Sequence, residues 1–490
     1  MVKELIKIYL EQTIKNKNYD KQTVTMTLKI YNTLSRKLET FKPIKKGSAG
    51  VYACGPTVYN HVHIGNLRAY IFYDLVSKYL KYKGYKVNLV SNITDIDDKT
   101  IRDSQKEGIS LKEFTQRYTK SYLEDLKTLN IELPNHLPKA TDYIKHMVSL
   151  TKKLLDKGHA YKAGKSYYYK IETFKDYGKI THMDNMDQLK KNAEGRLADA
   201  DEYEKDDVRD FVLWKGYDKE DGDVFWETDL GKGRPGWHIE CSVMSSDLLG
   251  TTFDMHLGGV DLIFPHHTNE IAQSEGASGK KFVNYWLHNE HLLVDNKKMS
   301  KSLGNFYTLR DLIKKGHDPK SIRYLLLATH YRQKLNFTFE SLDAAKASIE
   351  RLQEFVRNLT HIKSTKDNPK TKPLVEKAKK AFEAKLDNDL NISEALAVIF
   401  DFMRDINKLE ISKSDSKLVL DTMFQFNEII GVLDKPKQES LPANLKKLID
   451  QREDARKNKD FDTSDKLRDE LKQKGIVLDD TPDGVRWKKA

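Results

Sequence analysis

The sequence predicts an α/β fold built on a parallel sheet, and three neighbouring segments carry this prediction. GVYACG is typical of a short buried strand, residues 64–82 carry apolar residues at helical spacing, and YKVNLVSNI has a second buried-strand pattern. A strand, a helix and a parallel strand in this order form a βαβ unit, the basis of a Rossmann-like sheet. Ligands of such sheets lie at the carboxyl ends of the strands.

The remaining segments are arranged around this unit. TLKIYNTLSRKLETF predicts a strand, a turn and a strand before it, and two helical stretches, 111–129 and 140–158, follow it. A hairpin-like run, KSYYYKIETF, precedes a charged, irregular stretch over 175–222. Strand patterns return at FDMHLGGVDLIF and FVNYWLHNEHLLV, separated by a helix from near His266, so an insertion of about a hundred residues splits the sheet. Residues 309–433 are almost wholly helical in pattern.

Composition limits the classes of protein to which the chain can belong. Its 490 residues include 84 Lys and Arg against 73 Asp and Glu, a net charge of +11 that suits a polyanionic partner but also arises from scattered surface lysines. The two cysteines, Cys54 and Cys241, cannot build a secreted disulfide framework, so we expect a reducing, cytoplasmic compartment. No apolar run approaches the ~20 residues that span a bilayer, so we expect no membrane partner.

The loop GPTVYNHVHIGN, residues 55–66, connects the first buried strand to the helix that follows. Free N–H groups and the positive end of the helix favour an anion there. Gly65 allows a phosphate or nucleoside to approach the backbone closely, and His61 and His63 can each donate a hydrogen bond to a phosphate. Taken alone, the same pattern also fits an ordinary βα turn with surface histidines.

A second loop, NKKMSKSLGNF, spans residues 296–306 and is called the lysine loop below. Lys297, Lys298 and Lys301 lie close together beside serines and Gly304. Such a loop suits a triphosphate whose charge must be neutralised while the bond to the α-phosphate breaks. A solvated basic turn is the alternative interpretation of this segment alone.

The two cysteines belong to a possible set of metal ligands from three distant parts of the chain. Cys54 ends the first strand, Cys241 lies in GRPGWHIECSVM, and DLIFPHHTNEIAQSE adds His266, His267 and Glu270. His266 and Glu270 are four residues apart and share one face of a helix. Two thiolates, one imidazole and one carboxylate are a competent set for Zn²⁺. Isolated free cysteines, however, are usually just small buried hydrophobic residues.

Combined, these motifs carry a resemblance to a known family. An HIGN helix start followed by KMSKS is similar to the ordered motif pair of class I aminoacyl-tRNA synthetases. YACGPTVYN, NITDIDDK, GRPGWHIECS, GGVDLIFPHH and KMSKSLGNF together resemble the cysteinyl-tRNA synthetases over most of residues 27–490. The resemblance departs from the family pattern at Asn66, where the class usually has histidine, and at Thr268, where an acidic residue is usual.

The resemblance implies a role for each motif residue. It implies one zinc ion per chain, bound by Cys54, Cys241, His266 and Glu270, and it places Thr94 on the amino-acid side of the pocket. His267 is then left for the nucleotide side, where Asp261 can accept a hydrogen bond from a ribose hydroxyl. We expect Trp237 to form a wall of the amino-acid pocket, although a core tryptophan would have the same sequence pattern. The residues expected at the ATP phosphates and in catalysis are His61, His63, Gly65, Asn66, Lys298 and Lys301.

The activity that the resemblance implies is a two-step ligation. L-Cysteine is activated by ATP, accompanied by Mg²⁺, to cysteinyl-adenylate and pyrophosphate, and cysteine is then transferred to the terminal adenosine of tRNA(Cys). The bound zinc selects the substrate thiolate. Zinc coordination can tell cysteine from serine, whereas an apolar pocket separates such near-isosteres only by roughly ten- to a few-hundred-fold. The family expectation for the oligomeric state is a monomer.

The resemblance also assigns roles to the predicted domains, and the small C-terminal module would read unstacked anticodon bases. In that module we predict contacts to tRNA from Arg456, Phe461, Asp465, Asp480 and Trp487, although surface ion pairs and a packed tail would use the same residues. The predicted domains are an N-terminal extension (1–25), the first half of the catalytic domain (26–110), a connective insertion (111–230), the second half with the lysine loop (231–308), a helical tRNA-contact domain (309–435) and the anticodon-binding module (436–490).

Two other functions compete with this one. A zinc-dependent ligase that joins cysteine to an amino sugar has a similar catalytic half, but such enzymes lack the C-terminal module that this chain retains. A catalytically inactive RNA-binding paralogue is the second alternative. The intact KMSKS and the four predicted zinc ligands argue against it.

Overall fold

The computed structural model describes residues 28–182, 210–300, 302–435, 441–481 and 484–489. The chain divides into two compact units, one up to Asp434 and one from Lys435 onward. The predicted N-terminal extension, residues 1–25, and Lys301 of the lysine loop lie outside the described residues.

The described strands of the first unit are numbered in chain order: β1 (Lys29–Asn32), β2 (Lys37–Thr40), β3 (Ser48–Ala53), β4 (Lys86–Ser91), β5 (Ala160–Ala163), β6 (Ser166–Tyr169), β7 (Phe211–Gly216), β8 (Trp226–Thr228), β9 (Gly231–Pro235), β10 (Phe253–Gly259), β11 (Val283–Asn289), β12 (Leu292–Val294), β13 (Lys297–Lys298) and β14 (Leu335–Phe337). Its described helices are α1 (Ile64–Tyr82), α2 (Asp98–Glu107), α3 (Leu111–Thr128), α4 (Ile144–Asp156), α5 (Trp237–Leu249), α6 (Thr268–Ser278), α7 (Leu309–Lys314), α8 (Pro319–Ala328), α9 (Phe339–Leu359), α10 (Thr371–Asp387), α11 (Ile392–Ile406) and α12 (Lys413–Ile430).

The parallel sheet that the sequence predicts is present. It has four strands in the order β11-β10-β3-β4, all parallel, and α1 makes the crossover from β3 to β4. The predicted apolar stripe of α1 is confirmed, since Leu67, Ile71, Leu75 and Tyr79 are at most 2% exposed. β3 and β4 are both buried along their last three residues, so the loops that follow them start at a covered edge of the sheet.

Along the chain, an antiparallel sheet is inserted between β4 and β10 of the parallel one. Its five strands have the order β5-β6-β7-β9-β8, and the predicted KSYYYKIETF hairpin forms β5 and β6. The irregular stretch predicted over 175–222 was wrong in part, because residues 211–216 form β7. There Phe211, Leu213 and Trp214 are buried by packing that a charged flanking sequence does not reveal. Residues 183–209 of the predicted stretch lie outside the described residues.

The helical region after the lysine loop is confirmed, apart from connecting loops and one short strand that the sequence did not predict. Residues 335–337 form β14, which pairs in parallel with β12, and both Leu335 and Phe337 are buried. Three residues are too few for an alternating pattern to stand out against the helical periodicity around them.

A buried arginine joins this helical region to α1. Arg323 of α8 is 1% exposed, and its guanidinium donates to Asp74 Oδ2 of α1 at 2.6 Å, to the Ile430 carbonyl at 2.7 Å and to the Leu129 carbonyl at 3.0 Å. Asp74 also forms an ion pair with Lys78 at 2.8 Å. Because a buried charge is tolerated only when it is paired and hydrogen-bonded, this network fixes the α8–α1 contact in one geometry.

The second unit is small and has its own apolar core. It comprises α13 (Ala443–Lys457), α14 (Phe461–Gln473), β15 (Ile476–Thr481) and β16 (Gly484–Lys489), and the two strands form an antiparallel hairpin. Ile449, Leu471, Ile476 and Leu478 are buried between the helices and the hairpin. Across the described residues of both units, no helix is both long and apolar enough to span a bilayer.

Candidate active site

The structure brings the four predicted zinc ligands together at the carboxyl edge of the parallel sheet. Cys54 directly follows β3, Cys241 lies on the second turn of α5, and His266 and Glu270 flank the start of α6. One ligand atom from each residue lies within 4.8 Å of those of the other three. All four side chains are buried, with exposures between 0 and 7%. These four residues are called the metal cluster below.

The backbone around the metal cluster explains how distant segments meet. A Cβ on Gly236, just before α5, would lie 2.2 Å from the Val212 carbonyl oxygen, so only glycine lets α5 start this close to β7. The helix predicted from near His266 begins at Thr268, and residues 263–267 form a wider turn before it. His266 and Glu270 still meet, with 3.1 Å between Nε2 and Oε1.

Glu270 shows that the metal cluster fits a cation. Its Oε2 interacts with His256 Nε2 at 3.0 Å, whereas its buried Oε1 faces His266 Nε2 at 3.1 Å without a well-aligned hydrogen bond. Bond lengths of 2.0–2.3 Å to a tetrahedral zinc place neighbouring ligand atoms roughly 3.3–3.8 Å apart. A buried, underused carboxylate oxygen beside two thiols and an imidazole is a donor set that suits Zn²⁺.

The charges of the metal cluster are strongly coupled. Burial alone would raise the pKa of Glu270, but His256 and His266 lower it to about 2. Burial alone would lower the pKa of His266, but Glu270 and Cys241 raise it to about 10. A hydrogen bond from Cys54 lowers the pKa of Cys241 to about 6, while burial raises that of Cys54. The metal cluster therefore stabilises negative charge that a cation, or a proton on His266, must compensate.

Three further histidines surround the metal cluster, and the sequence reasoning did not identify them. His238 Nδ1 lies 2.9 Å from His266 Nδ1, and His256 stacks on Trp286 with ring centroids 4.5 Å apart. His288 lies behind His267. The available signal was a histidine within otherwise apolar strands, as in FDMHLGG and NYWLHN, but such a residue more often has only a core role.

His267, predicted to face the nucleotide, is fully buried beside the metal cluster. Its Nε2 lies 3.3 Å from Cys54 Sγ and its Nδ1 lies 2.7 Å from His288 Nε2. A Cβ on Gly258 would lie 2.5 Å from the His267 ring, so glycine at this point of β10 makes room for it. Both ring nitrogens already have partners, and the contact of His267 with ATP stays a prediction.

The HIGN motif forms the first turn of α1, and its side chains cap the helix. The Asn66 backbone N–H donates to His63 Nδ1 at 3.2 Å, and the His63 N–H donates to Asn66 Oδ1 at 3.3 Å. This capping box gives a role to the asparagine that departs from the class pattern. Because Nδ1 accepts, the proton of the neutral His63 ring lies on Nε2, where it can be donated to a ligand.

Burial keeps His63 neutral, since it lowers the pKa of this side chain to about 4. Gly65 packs against the same ring, because a Cβ there would lie 2.9 Å from His63 and 3.3 Å from Met299 of the lysine loop. His61 lies two residues before His63, and its Nδ1 is 2.6 Å from Ser121 Oγ of α3. Burial, with the charges of Arg310 and Arg117, lowers the pKa of His61.

The lysine loop adjoins the HIGN motif. The Phe306 ring at the end of the loop lies 5.2 Å from the His63 ring, measured between centroids. Directly after the loop, the Ile64 N–H donates to the Tyr307 carbonyl at 3.0 Å, and the backbones of His63 and Thr308 form an antiparallel bridge. Lys298 is exposed on the two-residue strand β13, and the loop is held by Asn305, which accepts from the Ser300 N–H at 2.8 Å and donates to the Lys298 carbonyl at 3.2 Å. The two predicted phosphate-binding segments are thus neighbours in the fold.

The predicted amino-acid and ribose contacts lie around the metal cluster. Trp237 is 40% exposed, and its ring covers His266 with centroids 4.3 Å apart. Thr94 is buried and donates to Glu240 Oε2 at 2.7 Å. Burial raises the pKa of Glu240, and the negative charge of Cys241 adds to that shift. Asp261 is exposed, and a Cβ on Gly259 would lie 2.3 Å from its Oδ1.

In the second unit, the predicted tRNA contacts differ in their availability. Phe461 is 63% exposed and Asp465 is exposed, whereas Trp487 packs against the apolar core. Asp480 is engaged within the unit, because it forms ion pairs with Arg456 and with the buried Arg452, whose Nη2 lies 2.7 Å from Oδ2. Arg456 and Asp480 can therefore contact a base only if this pair opens or is shared.

Comparison with known families covers nearly the whole chain. Residues 40–347 match the class I (C) tRNA synthetase catalytic domain, residues 381–434 match the DALR domain, and residues 438–487 match the cysteinyl-tRNA ligase anticodon binding domain. A cysteine–tRNA ligase of Protochlamydia amoebophila is 50% identical over 469 residues, covering 94% of this chain and 98% of the relative. Another, from Leptospira interrogans serovar Lai, is 48% identical over 477 residues, covering 94% and 99%.

Solved structures support the fold. The Mycobacterium tuberculosis methionyl-tRNA synthetase in complex with methionyl-adenylate has a TM-score of 0.57 at 14% identity and covers 79% of this chain and 90% of its own. The Agrobacterium radiobacter K84 LeuRS–tRNA–LeuAMS complex has a TM-score of 0.56 at 11% identity, covering 80% and 85%. With a class I catalytic domain, an anticodon-binding domain and near-complete relatives at about half identity, the chain belongs to the cysteine–tRNA ligase family of class I aminoacyl-tRNA synthetases and is a ligase enzyme.

Proposed function

We propose that the enzyme activates L-cysteine with ATP to cysteinyl-adenylate and pyrophosphate and then transfers cysteine to the terminal adenosine of tRNA(Cys). The convergence of two thiols, an imidazole and an underused carboxylate at the end of the strand whose loop leads to the HIGN motif is the observation that carries this proposal. Such an arrangement would put a thiol-selective site next to a phosphate-binding one, as cysteine activation requires.

Selection of cysteine is assigned to the metal cluster. Zn²⁺ held by Cys54, Cys241, His266 and Glu270 would supply a Lewis acid that stabilises a thiolate and discriminates against the far less acidic hydroxyl of serine. Discrimination by such polar readout reaches about 10⁴ to 10⁵, so a separate editing step is unnecessary. His256 orients Glu270 and His238 orients His266, which fixes the ligands before substrate arrives.

The phosphate side is assigned to His63, the start of α1 and the lysine loop. As the substrate carboxylate attacks the α-phosphorus, negative charge grows on the phosphate oxygens, and donors aimed at that charge lower the barrier. The His63 Nε2–H, the free N–H groups of α1, Lys298 and Lys301 are the proposed donors, and Mg²⁺ would accompany ATP. Asn66 contributes by holding His63 in its donor tautomer. No side chain is required as a general base for the transfer step, since positioning and the phosphate leaving group suffice.

The helical region and the second unit are assigned to the tRNA. Residues 309–435 would contact the body of the tRNA and residues 436–490 its anticodon, with Phe461 as the best-exposed stacking side chain. Two free, buried cysteines suit a reducing, cytoplasmic compartment, and a monomer is proposed from the family resemblance alone.

Cysteine-dependent ATP–pyrophosphate exchange by zinc-loaded protein, with and without a chelator, tests the proposal. We expect exchange that requires cysteine, ignores serine and is lost when the metal is removed. Absence of exchange by the zinc-loaded protein would contradict the proposal.

Charging of tRNA(Cys) in the same preparation separates the alternatives. Exchange without charging would favour the ligase that joins cysteine to an amino sugar, and neither activity would favour an inactive RNA-binding paralogue. The match of residues 438–487 to an anticodon-binding domain supports tRNA as the acceptor.

A further inference from the structure

Helix α3 contacts both of the segments proposed to bind the phosphates of ATP. Its Ser121 Oγ lies 2.6 Å from Nδ1 of His61, in the loop that leads to the HIGN motif. One turn further along, Asp125 Oδ1 accepts a hydrogen bond from Arg310 Nη1 at 2.5 Å. Arg310 belongs to α7, which begins three residues after the end of the lysine loop. Helix α3 therefore connects the loop before α1 to the segment that follows the lysine loop.

The guanidinium group of Arg310 makes three contacts with α3. Besides the contact with Asp125, its Nη2 donates to Glu124 Oε2 at 2.9 Å and to the Ser121 carbonyl at 3.4 Å. The side chain of Arg310 is 36% exposed, whereas that of Asp125 is only 3% exposed. The arginine therefore reaches from the surface to a covered carboxylate, and its planar fork of donors fixes the direction of approach.

Asp125 depends on this contact. Burial raises its pKa to about 6, and Arg310 is the cation that acts in the opposite direction. Within the described residues, the second carboxylate oxygen, Oδ2, is buried and has no hydrogen-bond partner. Because a buried carboxylate is tolerated when a cation pairs with it, the start of α7 has one strongly preferred position on α3.

The segment between the lysine loop and α7 is attached to the HIGN motif. The ring of Phe306, the last residue of the lysine loop, packs against the ring of His63 with centroids 5.2 Å apart. The backbone of Thr308 pairs with that of His63, and the Tyr307 carbonyl accepts from the Ile64 N–H. The lysine loop, the HIGN motif and α3 thus meet at the start of α7, and a shift of α7 on α3 would carry the loop away from His63.

The other end of the lysine loop has less support. It is formed by β13, whose two residues, Lys297 and Lys298, are both exposed and pair only with β12. The end near α7 therefore sets the distance between the loop and the HIGN motif. This distance matters for catalysis, because misplacing a group by about 1 Å can cost about 100-fold in rate.

We propose that Arg310 is a positioning residue for adenylate formation, since its contact with Asp125 holds the lysine loop against the HIGN motif. This inference rests on the proposed function and deepens it. Arg310 acts through the loop rather than on the reacting atoms, and it fixes the place from which Lys298 and Lys301 reach the phosphates. Cysteine recognition, which is assigned to the metal cluster, does not depend on it.

Single-turnover kinetics of adenylate formation by zinc-loaded protein test the proposal. Arg310→Met should slow this step by about 10- to 100-fold, the size expected for the loss of a hydrogen bond between charged groups. The calorimetric affinity for cysteine should stay within about 2-fold of the wild-type value. Arg310→Lys, which keeps the charge but not the fork of donors, should recover part of the rate. A wild-type rate in Arg310→Met, or an equal loss of rate and of cysteine affinity, would overturn the proposal.

A second variant tests whether Arg310 acts through Asp125. Asp125→Leu replaces the two carboxylate oxygens with methyl groups and should slow adenylate formation by at least about 5-fold. The double variant should be no slower than Arg310→Met alone, because both substitutions remove the same contact. Effects that multiply in the double variant would mean that the two residues act independently, which contradicts the proposal. Asp125→Leu also keeps the test decisive if Arg310→Met does not fold, since a wild-type rate in it would be equally contradictory.

Limited digestion with trypsin reports the position of the lysine loop directly. Cleavage after Lys297 and Lys298 is identified by mass spectrometry, with and without ATP and Mg²⁺ and in the absence of cysteine. ATP should slow this cleavage at least about 5-fold in the wild type and less than about 2-fold in Arg310→Met, because the displaced loop no longer closes on the phosphates. Equal protection in the two proteins would show that the loop does not need Arg310.

Arg332→Met is the matched control. The side chain of Arg332 is 38% exposed and pairs at 2.6 Å with that of Asp389, which is 4% exposed, so this variant loses an ion pair of the same type outside α3 and the lysine loop. Its rate of adenylate formation should stay within about 2-fold of the wild type. A fall as large as that of Arg310→Met would overturn the specific role of Arg310. Failure of the wild-type protein to form adenylate would instead contradict the proposed function, so the two failures are distinguishable.

Discussion

The metal cluster and the phosphate side of the same site are built in opposite ways. The ligands of the metal cluster are 0–7% exposed, and histidines from β10 and α5 hold them in place. Across the site, Lys298 is exposed on a two-residue strand, and its loop is held by the side chain of Asn305. A small substrate with one distinguishing atom needs a rigid, preformed site, whereas a triphosphate can be neutralised by long side chains that arrive with it.

The largest effect should come from removing a ligand of the metal cluster. Cys241→Ser should lower kcat/KM for cysteine by at least about 1,000-fold, because a ligand and the selectivity that depends on it are lost together. Zinc content by atomic absorption and exchange kinetics measure this effect, with Ser242→Ala as the control. Wild-type kinetics with a full zinc content would remove Cys241 from the metal cluster.

Substitutions in the lysine loop should slow adenylate formation without weakening cysteine binding. Lys298→Ala and Lys301→Ala should each reduce the rate of adenylate formation by about 100-fold, the usual cost of losing a donor to developing charge. Calorimetric cysteine affinity should stay within about 2-fold, since the lysine loop is not part of the metal cluster. Lys297→Ala, which removes the neighbouring exposed lysine of β13, is the matched control. An unchanged rate in Lys298→Ala would contradict its assignment.

A substitution in the second unit should alter tRNA binding but leave both the metal cluster and the phosphate side unaffected. Phe461→Ala should raise the KM for tRNA(Cys) about 10-fold, as expected for the loss of one base-stacking ring, and leave ATP–pyrophosphate exchange unchanged. Steady-state charging and exchange assays measure the two effects separately. A fall in exchange would mean that this side chain acts on the chemical step after all.

The smallest expected effect is on folding stability and concerns His63, which the capping contacts hold in place on the phosphate side. Burial lowers the pKa of His63 to about 4, against about 6.5 in an unfolded chain. Between these values the unfolded chain binds a proton that the folded chain does not, so folding stability falls as the pH falls. His63→Asn keeps a capping acceptor but does not titrate.

From pH 7 to pH 5 the wild type should therefore lose about 1–2 kcal/mol of stability relative to His63→Asn. Denaturant unfolding of both proteins at several pH values measures this difference. Parallel stability curves would show that His63 is not held neutral by the fold.

The sequence was sufficient for the features that depend on periodicity or on a specific motif. The apolar stripe of α1 and the resemblance at Cys54, Cys241, His266 and Glu270 led to a parallel sheet and to four side chains that converge in space. The roles assigned to these residues stay predictions.

The features that the sequence did not reveal depend on tertiary contacts. β7 and β14 are short apolar segments that distant parts of the chain cover. No local sequence pattern reveals these distant contacts. His256 and Glu240 look like isolated core residues until Glu270 and Thr94 are found beside them. Asn66 differs from the class pattern, and its capping contact with His63 follows from the backbone geometry of the helix start.

The positions of the two cysteines have a practical consequence. The 490-residue chain contains no other thiol, and both sulfur atoms belong to the buried metal cluster. A sulfur that donates its lone pair to a metal reacts poorly with an alkylating reagent, because the free thiolate is the nucleophile. The number of alkyl groups on the intact protein, read by mass spectrometry, should therefore rise from none on loaded molecules to as many as two once the metal is stripped and the emptied site opens to the reagent.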